Sequence, residues 1–473
     1  MIQIFIWGFE FFKITKYTFK KLLLIYVNFC KFCSINICCI NFFYSSTDNY
    51  YNPDDSQNFQ IMIDISKKNF NDLIKLNTYL LLIYFIVFLN LNTGVNETVM
   101  FSTPDSKDYL KVGNWIFDNS DTEQTINNPV LYPFILKLML KFSGVYGVWF
   151  LQFIFWLLSV NLLFSAIKRL TNKLFAYFGA VIFSLNFSFI ALTLHALTDV
   201  TVTFVLCWLI YYLTVNYLEI RKWTVFCNVI LFFSVLSIIK PVFFPLLIVL
   251  LIIVFPVFYL KEFLNSQRKY LLIVAIIPVI FQLSLMYAKH NIITISAKGN
   301  TTFKTYFFAQ SYAEVNNINI DAAVDSSKNL SQDYIYGFML DNKKIITGNF
   351  ISNILSQNIT GPATFLAYPP GHENMFLFQL MKIENNLFLA LHFLFLIPCI
   401  IFIFYLRKSS SYKLALYIYL ILMFYYLVLI TGIAFWQGDR YTISFQPLWI
   451  LIYLSVVYIF YSLKFNSGGN LVE

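Results

Sequence analysis

The side chains in this chain best suited to chemistry are a few ionisable residues at the ends of long apolar runs. The segment STPDSKDYL carries Asp105, Asp108 and Tyr109 at i, i+3 and i+4. A helix there sets both carboxylates and the phenol on one face, the arrangement needed to take a proton from a hydroxyl and orient it; the same residues also read as acids on a solvated loop. HALTD puts His195 and Asp199 in a short connection between apolar runs, where an ionisable group either serves a function or reaches water at the helix ends. Lys240 precedes Pro241, and Arg440 precedes Tyr441 in GDRY, so that two cations lie at headgroup level. Either side chain is long enough to snorkel, yet together they offer a phosphate a bidentate fork and a point charge. NNPVLYP, with Asn127, Asn128, Pro129, Tyr132 and Pro133, is an extended, proline-ruled stretch. It leads into YPFILKLMLKF, where Lys137 and Lys141 at i,i+4 suit a short helix lying in a membrane interface.

The composition says what must hold these residues. Of 473 residues 59% are hydrophobic and 12% charged, far from the roughly 45–50% and 25% of soluble domains. Soluble globular, disordered, fibrous and disulfide-stapled classes are excluded. The net charge of +9 is spread through short connections without a basic block, so it reads as membrane topology and not as nucleic-acid binding. Cys30, Cys33, Cys38 and Cys39 sit in an apolar stretch with no second well-spaced pair or His, so no zinc site is read there. Cys207, Cys227 and Cys399 are ordinary small hydrophobes inside apolar runs.

Apolar runs recur at 76–91, 145–167, 174–194, 200–217, 224–239, 242–260, 271–288, 387–406, 414–433 and 443–463, each about the length of a helical span. They predict an all-α polytopic membrane protein of about ten transmembrane helices. Lys67, Lys68 and Lys75, Lys168 and Arg169, Arg221 and Lys222, Lys261 and Arg268, and Arg407 and Lys408 fall in alternate connections, which assigns those connections to the cytoplasmic side. Two long loops, 92–144 and roughly 290–386, then lie on the outer face, where function concentrates. The organisation is an N-terminal segment 1–61, an extra anchor or a stretch ahead of a true start at Met62; a membrane module 62–289 with the first outer loop; the large loop 290–386; and C-terminal helices 387–473.

Taken in order, PDSKDYL, NNPVLYP, LTD, IIKP and DRY resemble the motifs of the GT-C superfamily of integral membrane glycosyltransferases, among them relatives of the lipid A aminoarabinose transferase and the protein O-mannosyltransferases. YAKHNIITISAKGNTTF, 287–303, is similar to the family's basic-x-N stretch. The likeness covers roughly 100–460 and departs at Asn127, where relatives often have Arg. It implies transfer of a sugar from a polyprenyl-phosphate donor to a lipid, glycan or protein acceptor. In that reading Asp105 is the catalytic base, Asp108 and Tyr109 orient it, and Arg440 and Lys240 hold the donor phosphate. His195, Asp199, Tyr132 and Tyr441 bind the sugar or close the site. Some relatives use a divalent metal, and no ligand cluster here compels one. An ordinary Asp is a feeble base at neutral pH, so such a site must desolvate it or raise its pKa.

Two other classes stay open. A lipid-linked saccharide ligase or polymerase centres on the large loop, at His372 and Glu373 in AYPPGHENMF, and a secondary transporter needs internal repeats, broken helices and ionisable residues near the midplane, whereas no repeat is seen and the candidate charges lie at the outer boundary. Asn96, Asn300 and Asn358 are glycan acceptors only in a secretory eukaryotic setting. A bacterial cytoplasmic membrane with the site facing outward fits better.

Overall fold

The computed structural model describes residues 56–91, 94–118, 120, 122–359, 376–434 and 439–466. Nearly all of the 1–61 segment, its four cysteines, His372 and Glu373 lie outside the described residues. The chain divides into two units, Met1–Asp72 and Leu73–Glu473, of which the second holds the helical bundle. Among the described residues every regular element is helical.

The elements that matter are α1 (Ser56–Leu91), α2 (Pro104–Asp118), α3 (Leu131–Leu170), α4 (Lys173–Ser184), α5 (Phe187–Leu192), α6 (Asp199–Val215), α7 (Trp223–Ile239), α8 (Pro241–Asn265) and α9 (Tyr270–His290). After them come the loop helices α10 (Ala309–Asn316), α11 (Ile320–Asn329), α12 (Gln332–Asp341) and α13 (Lys343–Ser352), then α14 (Phe376–Ser409), α15 (Ser411–Ile430) and α16 (Arg440–Asn466).

Among the described residues, seven helical stretches are long and apolar enough to cross a membrane: Asp72–Leu91, Leu131–Leu170, Pro241–Asn265, Tyr270–His290, Phe378–Lys408, Ser411–Ile433 and Arg440–Leu463. This is an all-α integral membrane protein. The other three expected runs form the shorter apolar helices α4, α6 and α7. The run at 174–194 breaks because Asn186 caps a new helix, its side chain accepting from the Phe189 N–H at 2.7 Å.

Of the short helices, α6 and α7 are mostly buried, while α4 exposes Leu174 and Phe178. Along α6, Val200, Val202, Leu206, Leu209 and Ile210 are fully buried and Trp208 is the exposed side chain, the pattern of a helix packed on most of its faces. Peripheral α14 instead exposes Phe393, Leu394 and Ile397, at 58, 68 and 67%, an apolar surface suited to lipid. Gly179 lets α4 approach its neighbours closely, since a Cβ there would stand 2.4 Å from Ile167 and 2.7 Å from Leu454.

The sequence expects an interfacial helix over 132–142. In the structure that stretch opens α3, which turns sharply at Gly144, where φ is +59° and only glycine is comfortable. Lys137 and Lys141 reach a neighbouring helix. Both pair with Asp118 at the end of α2, at 3.0 and 3.5 Å, and Lys137 also donates to Asn114 at 2.6 Å. The helix is thus tied to the element that carries Asp105.

Candidate active site

Four helix ends meet at one end of the bundle. Asp105 is fixed by local chemistry: Thr103 caps α2 by accepting from the Ser106 N–H at 3.2 Å, Pro104 takes the first helical position, and Asp105 follows in the first turn. Asp199 opens α6, Lys240 ends α7 in an extended conformation forced by the following Pro241, and Arg440 opens α16.

These residues form a continuous alternation of charge. Lys240 Nζ donates to Asp199 Oδ1 at 2.7 Å, and Arg440 Nε to Asp199 Oδ2 at 2.6 Å. Arg440 Nη2 lies 2.9 Å from Asp105 Oδ2, and Lys298 Nζ donates to Asp105 Oδ1 at 2.7 Å. Three cations against two carboxylates leave one positive charge over. Tyr441 lies beneath Lys240 and Arg440, at 4.6 and 6.0 Å from its ring centre. Tyr109 lies beneath Lys298 at 5.8 Å and meets Tyr132 edge-on at 5.1 Å. Asp439, next to Arg440, accepts from Ser188 and Asn385 at 2.5 and 2.8 Å and so anchors the start of α16.

Sequence reasoning misses Lys298. It arrives because the 123–130 stretch is stapled to 295–298. Ala297 N–H donates to the Ile126 carbonyl at 2.8 Å, Ser296 Oγ to Asn127 O at 2.5 Å, and Gln282 joins Val130 N–H to Ile295 O. Lys298 Nζ also lies 3.5 Å from Asn128 Oδ1. A cation from the second loop therefore stands beside the NNPVLYP stretch.

Of the residues picked from sequence, the structure brings together Asp105, Tyr109, Tyr132, Asp199, Lys240, Arg440 and Tyr441. Asp108, expected on the same helix face, pairs with Lys111 at 3.6 Å. His195, 3% exposed, is set against the start of the first loop: its Nδ1 lies 3.3 Å from Ser102 Oγ, and Ser102 in turn donates to the Val99 carbonyl at 2.9 Å. Burial, with Arg440 nearby, pushes its pKa down to about 4, so it is neutral.

The electrostatics of Asp105 run opposite to the raised pKa expected from sequence. Burial alone raises the carboxyl, but Lys298 and Arg440 outweigh it and hold it below the usual carboxylate range. Lys298 is the reciprocal case: burial lowers its pKa, Tyr109 and Asp105 raise it, and it stays charged. Among the described residues no three of His, Cys, Asp and Glu gather as a metal-ligand set. Compared with known protein families, with curated proteins and with solved structures, the chain matches none.

Proposed function

We propose that this protein is a membrane glycosyltransferase of GT-C type that moves a sugar from a polyprenyl-phosphate donor to a lipid, glycan or protein acceptor. The observation that carries the reading is the ladder Lys240, Asp199, Arg440, Asp105 and Lys298, with its surplus positive charge at the end of an apolar bundle. Such a site suits a ligand with an anionic head and an apolar chain.

In the proposed reaction the acceptor hydroxyl attacks the anomeric carbon while Asp105 takes its proton. The carbon–oxygen bond to phosphate breaks, and the phosphate leaves with the electron pair. Displacement passes through an oxocarbenium-like transition state, and a phosphate held by Arg440 and Lys240 needs no general acid. Asp105 is a poor base while Lys298 and Arg440 hold it. A donor phosphate drawing those cations toward itself relieves the carboxylate, so the donor activates the base. Asp199 keeps Arg440 and Lys240 in place, and Tyr441 supports both. In this reading the membrane is a bacterial cytoplasmic one, and the placement of basic residues in alternate connections supports an orientation with this end of the bundle facing outward.

The test is transfer of labelled sugar from polyprenyl-phosphate donors in membranes carrying Asp105→Asn, with His372→Ala alongside at matched expression. Asp105→Asn abolishes labelling and His372→Ala retains it. The reverse pattern moves the chemistry to the large loop and favours the ligase reading.

A further inference from the structure

We infer that the hydroxyls of Tyr132 and Thr198 are hydrogen-bond donors to the phosphate group of the ligand, an inference that rests on the function proposed above. Tyr132 is 3% exposed and Thr198 fully buried, yet among the described residues neither Tyr132 Oη nor Thr198 Oγ1 has a hydrogen-bond partner. A buried hydroxyl left without a partner is destabilising, so most are satisfied. Two of them flanking one ion ladder point to a group that completes them.

Thr198 is the more telling. It stands immediately before α6, at the position where a threonine ordinarily accepts from its own helix, and it makes no capping hydrogen bond. Its backbone is already helical there, with φ −71° and ψ −18°, whereas a capping threonine is extended. Tyr109 is close enough to feel the Thr198 side chain, but the two do not meet in hydrogen-bond geometry. Next to Thr198 is Asp199, bound to both Arg440 and Lys240. Tyr132 is held by its edge-on contact with Tyr109, and both Asp199 and Arg440 are near enough to act electrostatically on its hydroxyl.

The chemistry selects an anionic acceptor. The carboxylates of the ladder are engaged by its cations, and the cations exceed the carboxylates by one. An oxyanion held by Arg440 and Lys240 offers the lone pairs that two hydroxyl donors lack. Hydrogen bonds to a charged group are also the strong ones.

Stability and binding then respond with opposite signs. Removing an unsatisfied buried hydroxyl leaves the fold as stable or more so, while removing a ligand donor weakens binding. The experiment uses the full chain in detergent with farnesyl phosphate as probe, and farnesol and inorganic phosphate as separate arms. Tyr132→Phe and Thr198→Val each weaken farnesyl phosphate binding by roughly tenfold, and neither lowers the melting temperature measured without ligand. Ser234→Ala on α7, which removes another buried hydroxyl without a partner among the described residues, leaves binding unchanged. Farnesol binds alike to wild type and variants. Competition by inorganic phosphate means that phosphate alone suffices; its failure to compete means that the lipid chain is also read. Unchanged farnesyl phosphate affinity in both variants, or a lowered melting temperature, overturns the inference while leaving the function intact. Failure of the wild type to bind farnesyl phosphate overturns both.

Discussion

In the proposed reaction Lys298 sets how basic Asp105 is before the donor binds, and that control can be measured. Its Nζ stands 2.7 Å from Asp105 Oδ1, with the two side chains 33 and 25% exposed, so the pair is only partly screened by solvent. An opposite charge at such range lowers a carboxyl pKa by about 1–3. Arg440 stays 2.9 Å from the other oxygen when Lys298 is gone, so Asp105 remains acidic but less so. The base works deprotonated, and the acid limb of kcat/KM reports the free enzyme. Lys298→Met is therefore expected to move that limb upward by about 1–3 pH units. Lys298→Arg should restore it, and the limb in kcat, where the phosphate has drawn the cations away, should move less. The assay is initial-rate transfer from a polyprenyl-phosphate sugar from pH 8 down to about pH 2, because the limb of a carboxyl held below its usual range lies under about pH 4. Linkage supplies a substrate-independent counterpart. The folded pKa of Asp105 is depressed, so its stabilisation is present above the unfolded carboxyl value and is lost as pH falls toward the folded one; Lys298→Met narrows that window. An acid limb that stays in place or moves down in Lys298→Met refutes this control.

Three other outcomes are expected. Asp199→Asn, which leaves Arg440 and Lys240 buried beside a neutral amide, should cost about 3–5 kcal/mol, read as a lowered unfolding midpoint in detergent. His195, whose pKa falls to about 4 in the fold, binds a proton more readily when unfolded. Stability should therefore be complete above about pH 6.5 and fall by about 3 kcal/mol as pH drops toward 4, an increment that His195→Gln lacks. Gly432→Ala sets a Cβ within 2.5 Å of the Phe350 ring, where overpacking should destabilise by about 1–3 kcal/mol; a midpoint equal to wild type means that the ring simply moves.

The membrane character and most of the site were legible because both depend on local signals. Apolar length marks helices whatever they pack against, and Thr103, Pro104 and Asp105 spell a helix start in adjacent letters. Lys240 and Arg440 stand out as cations where the apolar runs end. Burial was not legible. Nothing in 200–217 says that α6 is packed on most of its faces and short while α14 faces outward, since both are uniformly apolar and a periodicity needs a polar face to be seen. Asp108 and Tyr109 are neighbours on one helix, yet only the second turns under Lys298, a difference of about 100° in helical phase that the packing of α2 on α3 decides. Lys298 was hidden for the opposite reason. It is one lysine among several in a long loop, and only the hydrogen bonds of Ser296, Ala297 and Gln282 to the 126–130 stretch give it a place.

The ladder itself argues for function over stability. Arg440 opens α16 with a positive charge at the positive end of the helix dipole, a choice that costs about 0.3–1 kcal/mol where an acid would gain as much. Its burial at 4% exposure adds a desolvation penalty that Asp105 and Asp199 must offset. Apolar residues of the same volume would pack the four helix ends with less conflict, and buried ion networks replaced in that way are often neutral or more stable. A sequence that keeps three cations and two carboxylates there accepts that conflict. The local rule broken at Arg440 is broken where the chain holds its surplus charge, and the unsatisfied hydroxyls of Tyr132 and Thr198 flank the same ladder. A cation at a helix start, uneven charge and unmet hydrogen bonds converge on one place, which is how a site prepared for an anion differs from a network that serves only the fold.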